Sequence, residues 1–311
     1  MKKIKVFCLA DSPLAPSGVG TQTRYMIEGL LQTGKFEFVC FGGAIRHPDY
    51  KPIRTEEYGD DWIIFPVDGY GSQEQVRALL KAQKPDIVWI MTDPRFWGWL
   101  WSIDNEIRSV APLVYYHVWD NLPYPTFNKK WYLSNDVVAT ISKVTDDIVR
   151  NVAPEVDVHH LPHAINDRVF TKIEDRDLIE NFKKENNIGN DSNGNKRFTF
   201  FWNNRNARRK QSGSLMFWFN DFLDKVGRDK ATLIMHTEPK DPNGQDLEAI
   251  REKLNFDEDQ FKLSTNKLSM EQLSVLYNSV DCTINISDAE GFGLATLESL
   301  ATETPIIVNM T

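Results

Sequence analysis

Short apolar runs alternate with amphipathic stretches along nearly the whole chain. The runs over residues 4–10, 36–41, 62–67, 86–91, 113–120, 136–141 and 156–161 have the length of buried strands. Between several of them the apolar positions recur at helical spacing, over 21–32, 73–83, 124–134 and 142–152. A second series follows: helix 175–187, strand 198–202, helix 211–226, strand 232–236, helix 246–254, strand 261–263, helix 269–278, and strands 282–286 and 306–309. Strands that alternate with helices predict an α/β protein with parallel sheets. The polar stretch Gly189-Asn190-Asp191-Ser192-Asn193-Gly194-Asn195 marks a break between the two series. The expected division is a first domain over 1–170, a linker or hinge over 171–197 and a second domain over 198–311.

The 311 residues suffice for two domains of ordinary size. A net charge of −8 argues against a general nucleic-acid binder, which needs a basic footprint. No run of 18 apolar residues is present, so no spanning helix is expected. The start, Met1-Lys2-Lys3, is basic, but Lys5 breaks the apolar run behind it, which reads as a strand and not a signal peptide. Cys8, Cys40 and Cys282 lie in or beside strands and read as buried thiols of a reducing compartment. The expectation is a cytoplasmic protein, free or peripheral at a membrane, with no transmembrane segment.

Two stretches carry candidate chemistry. After the strand at 282–286 comes Asp288-Ala289-Glu290-Gly291-Phe292-Gly293-Leu294, which opens a helix containing Glu298. A helix N-terminus offers backbone N–H groups and a positive dipole end to phosphate, and Gly291 and Gly293 let a backbone come close. Ionised Glu290 and Glu298 accept from hydroxyl pairs such as those of a sugar or ribose. The second stretch is Arg205-Asn206-Ala207-Arg208-Arg209-Lys210, between a strand end and a helix start. The dipole there is already positive, so four cations call for an anion, and a diphosphate fits. Arg208 and Arg209 are expected to be solvent-facing helpers.

The two glutamates, with seven residues between them, resemble the E-x7-E signature of retaining glycosyltransferases of family 4. The resemblance runs over roughly residues 4–311 and implies the GT-B fold, two Rossmann-like domains facing across a cleft. It implies that Glu290 faces the donor sugar, that Glu298 holds the ribose, and that Arg205 and Lys210 grip the pyrophosphate. It further implies that Gly18 and Gly20 approach the donor phosphates and acceptor, and that His117, at a strand end, reaches the donor sugar. Phe292 and Leu294 fall inside the donor loop. The crossing Pro162-His163-Ala164-Ile165-Asn166 with Phe170 is also similar, with Ala164 where glycine is usual. Asn203-Asn204 replaces a usual Val-Gly, and Glu303 stands at a usual glycine. Members of the family continue beyond the point matching Thr311, so a truncated second domain is expected; a fragment, a partner that completes it, and lost activity all remain open.

The expected reaction is transfer of a sugar from a nucleotide diphosphate sugar, such as a UDP- or GDP-sugar, to a hydroxyl of a carbohydrate, lipid or protein, with retention. No separate cofactor is expected. No required metal is expected either: Asp175-Arg176-Asp177 and Asp257-Glu258-Asp259 read as acidic helix starts, and His159, His160 and His163 lack a nearby acid cluster. A catalytically impaired nucleotide-sugar-binding or regulatory protein is the alternative. An oxidoreductase fits poorly, because the turn Ser17-Gly18-Val19-Gly20 is not G-x-G-x-x-G and no acid follows the second strand. Trp97, Trp99 and Trp101 read as core packing, with an acceptor platform as the lesser reading.

Overall fold

The computed structural model describes residues 2–309. Met1, at which the expected first domain begins, and Met310 and Thr311, at which the second ends, lie outside the described residues. The chain divides into two compact units, one ending at Ala164 and the other beginning at Ile165.

The first unit is built on β1 (Ile4–Leu9), β2 (Phe36–Gly42), β3 (Ile53–Arg54), β4 (Trp62–Pro66), β5 (Ile87–Met91), β6 (Leu113–His117), β7 (Val137–Thr140) and β8 (Val158–His160). Their order is β3-β4-β2-β1-β5-β6-β7-β8. All neighbours are parallel except β3, which runs against β4. The order reverses direction between β1 and β5, which places a topological switch point at their C-terminal ends. The helices are α1 (Gly18–Leu31), α2 (Gln73–Gln83), α3 (Gly98–Trp101), α4 (Asp104–Arg108), α5 (Lys129–Leu133) and α6 (Lys143–Val152). Side-chain oxygens of Ser17, Ser72 and Ser142 accept N–H groups at the starts of α1, α2 and α6. Trp97 and Trp101 are buried in the core beside Phe7, Ile90 and Tyr115. The Trp97 indole donates to the Met91 carbonyl at 2.9 Å, and Trp101 stacks on Trp131. They are packing residues, as their spacing suggested.

The second unit holds β9 (Phe198–Asn203), β10 (Ala231–His236), β11 (Phe261–Ser264), β12 (Cys282–Asn285) and β13 (Ile306–Val308). The order is β11-β10-β9-β12-β13, all parallel, with its own switch point between β9 and β12. Around it lie α7 (Arg176–Glu185), α8 (Ser212–Val226), α9 (Leu247–Lys253), α10 (Met270–Ser279) and α11 (Leu294–Ala301). Ser269 and Gln272 form a reciprocal capping box at the start of α10. Asp175 caps α7, as its acidic start predicted, whereas Asp257 caps a turn before β11.

Residues 165–197 belong with the second unit and are not a free linker. Phe170 and Ile188 are buried against Phe201, Ile234 and Tyr277. The Ser274 hydroxyl donates to the Val169 carbonyl at 2.7 Å, and the Asn278 amide donates to that of Thr171 at 3.0 Å. At Glu303, where the resemblance puts glycine, φ is 57°, the left-handed region that glycine favours. Glu303 adopts it nonetheless and pairs with Lys172 at 2.9 Å. Cys8, Cys40 and Cys282 are buried free thiols. Among the described residues no helix is long and apolar enough to cross a membrane.

Candidate functional site

The switch point of the second sheet brings together two loops, the one after β9 and the one after β12. Asn206 builds the first. Its buried amide donates to the carbonyls of Pro239 at 3.1 Å and Gln245 at 2.7 Å, and its oxygen accepts from Ser212. A short 3-10 turn, Arg208–Lys210, follows, and Gln211 takes a left-handed conformation before α8 begins. The helix therefore starts one residue later than its apolar spacing suggested.

Lys210 is the inward cation, its side chain only 10% exposed, and it pairs with Glu290. The Glu290 side chain is 17% exposed and also accepts from the Ser287 hydroxyl at 2.8 Å. Burial pushes its carboxyl up, but Lys210, Ser287 and Arg209 outweigh that and hold it below the usual range, so it is ionised at neutral pH. Arg209 is solvent-facing, as expected of a helper, and also donates to the Ala289 carbonyl and lies 3.8 Å from Glu290. Arg205 is held away from Lys210's partner. Its Nε and Nη2 grip Asp241 at 2.6 and 3.1 Å, while 64% of the side chain stays exposed.

Glu298 lies one helical turn into α11. Its Oε2 accepts from the Tyr277 hydroxyl at 2.9 Å, which in turn accepts from the Asn203 amide at 3.0 Å. Burial raises the Glu298 carboxyl against the lowering effect of Tyr277. Gly293, with φ 80°, is the N-cap of α11 and no side chain caps that end. Gly291, Phe292, Gly293 and Leu294 are all half-buried there, so the helix start is reached from outside. The second unit thus gathers Lys210, Glu290, the 291–294 turn and Glu298 about one sheet end. Asp241, Gln211, Tyr277 and Ser287 are the partners that sequence reasoning did not assign, and none of them carried a local signal.

In the first unit, Gly18 and Gly20 lie within the first turn of α1 and not in a loop before it, because Ser17 caps from three residues earlier than expected. Gly20 is required by packing: a Cβ there would stand 2.7 and 2.8 Å from the carbonyl oxygens of Ala15 and Ser12. The Ser17 hydroxyl donates to Asp11 at 2.7 Å, and Tyr70 donates to the other oxygen of Asp11 at 2.9 Å. Gln22 binds both backbone groups of Ala164, accepting its N–H at 3.0 Å and donating to its carbonyl at 2.6 Å.

His117, which the resemblance places against the donor sugar, lies inside the first unit. It ends β6, shares a face with Leu113 and Tyr115, and has no exposed surface. Nδ1 lies 2.9 Å from the Tyr115 hydroxyl and Nε2 lies 2.7 Å from that of Tyr132. Tyr115 donates onward to the Thr92 carbonyl at 2.8 Å, so it accepts from Nδ1–H and Tyr132 donates to Nε2. Both ring nitrogens are consumed inside the core, and burial lowers the pKa to about 3. His163 is also buried, bonded at Nδ1 to Tyr116 at 2.9 Å, with its pKa lowered by burial to about 4. Among the described residues no three His, Cys, Asp or Glu side chains gather in a way that could hold a metal.

No protein-family model matches the chain. No curated protein matches it in sequence. Solved structures do. A sucrose-phosphate synthase from Thermosynechococcus elongatus is similar with a TM-score of 0.74 at 14% identity, over 98% of this chain and 81% of that one. An Anabaena protein in complex with UDP and glucose gives 0.70 at 14% identity, over 98% and 80%. The catalytic domain of starch synthase IV from Arabidopsis thaliana, bound to ADP and acarbose, gives 0.68 at 11% identity, over 99% and 82%. The two parallel-sheet units, in this order and with these switch points, have the fold of the GT-B glycosyltransferases.

Proposed function

We propose that the chain is a glycosyltransferase that moves a sugar from a nucleoside diphosphate sugar to a hydroxyl acceptor, with retention at the anomeric carbon. The observation that carries the reading is the meeting of Lys210, Glu290 and the start of α11 at the switch point of the second sheet. A cation and a helix N-terminus suit the diphosphate. Two carboxylates within one turn and the following helix suit hydroxyls of sugar and ribose. Similar folds hold UDP with glucose, or ADP, which supports a nucleoside diphosphate here.

The acceptor oxygen forms its bond to the anomeric carbon as the bond from that carbon to the diphosphate oxygen breaks. The acceptor's proton passes to the departing diphosphate. Lys210, Arg205 and the α11 N-terminus stabilise the growing charge there, the kind of preorganised field that supplies the largest catalytic term in many enzymes. Glu290 orients the donor sugar and Glu298 the ribose. With His117 enclosed in the core, no role is assigned to it in the reaction.

The test is thermal unfolding against UDP, GDP, ADP and their sugars, beside an assay of transfer and donor hydrolysis. A ligand at about 100 times its Kd adds roughly 2.7 kcal/mol, a readily visible shift. One nucleotide series should stabilise the chain, and Lys210→Ala and Glu298→Ala should abolish the effect. No shift with any series would overturn the reading. A shift without transfer or hydrolysis would leave a nucleotide-sugar-binding protein.

A further inference from the structure

Three consecutive residues after β9 grip three consecutive residues after β12. The Asp288 N–H donates to the Arg209 carbonyl at 2.8 Å. The Gln211 amide donates to Asp288 Oδ2 at 2.6 Å. Arg209 donates to the Ala289 carbonyl, and Lys210 pairs with Glu290. Gln211 sits at φ 56° and ψ 31°, a conformation that L side chains other than Asn and Asp rarely adopt. Glycine would satisfy that backbone without strain. What glycine cannot supply is the side chain, and that side chain is itself fixed: Ser214 donates to Gln211 Oε1 at 2.6 Å, which turns the NH2 group toward Asp288.

We propose that Gln211 is a positioning residue: by holding Asp288 it sets the path of the 288–290 turn and so delivers Glu290 to Lys210. The sense of that delivery rests on the donor-site reading, but the latch itself does not. Asp288 is the first residue of the turn and Glu290 the third, so a loose Asp288 frees both the carboxylate and the turn that leads into α11. Misplacing a reacting group by about 1 Å can cost 10²-fold in rate. The effect belongs in kcat more than in KM, because Lys210 and Arg205, which lie outside the 288–290 turn, remain to bind the diphosphate.

The deciding experiment is hydrogen exchange on the full chain, wild type against Gln211→Gly, read on a peptide spanning residues 286–294, with thermal unfolding alongside. Glycine relieves the left-handed strain, so the unfolding temperature should hold or rise. The turn should nevertheless exchange at least about tenfold faster, since one of the contacts that oppose its local opening is lost. Unchanged exchange would overturn the latch whatever the activity of the chain. A falling unfolding temperature would make Gln211 a structural residue of the loop. On any donor that the wild type turns over, Gln211→Gly should lose roughly 10- to 100-fold in kcat with KM nearly constant. Gln211→Lys, which keeps a donor toward Asp288, should retain most of the rate. A wild type that turns over no donor defeats the donor reading alone, and the exchange result still decides the latch.

Discussion

The two buried histidines make the first unit acid-labile, and the size of the effect can be worked out. An unfolded histidine has a pKa near 6.5, whereas His117 and His163 titrate in the folded chain at about 3 and about 4. Below pH 6.5 the unfolded chain takes up protons that the folded chain refuses. Stability is therefore full above pH 6.5, falls as the pH falls, and is lost completely only near the folded values. Between pH 7 and pH 5 each histidine should cost roughly 2 kcal/mol, about 4 kcal/mol together. The figure hardly depends on how far below 5 each folded pKa lies, because at pH 5 the folded ring is neutral in either case. For a unit of this size that is a drop of about 8–15 °C in melting temperature. Glu298, whose carboxyl is raised, acts with the opposite sign and lies in the second unit. The assay is calorimetry or circular dichroism melting at pH 7, 6 and 5, with His117→Gln beside the wild type. The variant is weaker at pH 7, since it disturbs the bonds to Tyr115 and Tyr132, but its loss between pH 7 and 5 should be about half the wild-type loss. Equal slopes in the two proteins would refute the assignment of acid sensitivity to His117.

Two further outcomes concern packing. Gly20→Ala should destabilise the first unit by about 1–3 kcal/mol, because the two atoms nearest the new methyl are backbone oxygens and cannot swing aside; a melting temperature equal to the wild type's would show that α1 can slide off the 12–15 loop. Thr199→Val should stabilise the second unit by roughly 1 kcal/mol, since the Thr199 hydroxyl is fully buried in β9 without a partner among the described residues; a loss of stability in urea unfolding would place a bridging water on that hydroxyl.

The elements were legible where both ends carried a signal. Helix α2 falls at the expected residues, 73–83, because Ser72 caps its start and Pro85 closes its end. The start of α1 was less legible: the turn Ser17-Gly18-Val19-Gly20 reads as a loop before a helix from residue 21, whereas Ser17 caps the helix and both glycines lie in its first turn. The Glu-x7-Glu stretch was legible because strand, turn and helix are contiguous. The pairing of charges was not. Four cations in six residues say that carboxylates or an anion must be near, but which carboxylate takes which cation depends on loops far away in sequence. Asp241 arrives from the turn after β10, and Glu290 from the turn after β12. His117 illustrates the other limit. In a parallel sheet covered on both faces, alternation tells which residues share a face with Leu113 and Tyr115, but not that α5 brings Tyr132 to close over the ring.

The charge at the second sheet's end also changes what an anion must do there. From the sequence, the cluster at 205–210 demanded an external anion to relieve it. In the folded chain the protein's own carboxylates do so first: Asp241 for Arg205, Glu290 for Lys210. On the proposed reading, a diphosphate does not fill an empty cationic pocket; it shares Lys210 with Glu290. Among the described residues the two-point grip of Asp241 leaves Nη1 of Arg205 uncommitted, so Arg205 can meet a phosphate without giving up its partner. The Lys210 ammonium carries three N–H donors, so it can meet a phosphate while it still holds Glu290. A phosphate that shares Lys210 weakens its hold on the Glu290 carboxylate, at the moment when a donor sugar brings hydroxyls that need an acceptor. Binding of the diphosphate and orientation of the sugar are then linked through Lys210, and the latch at Gln211 keeps the 288–290 turn in place meanwhile.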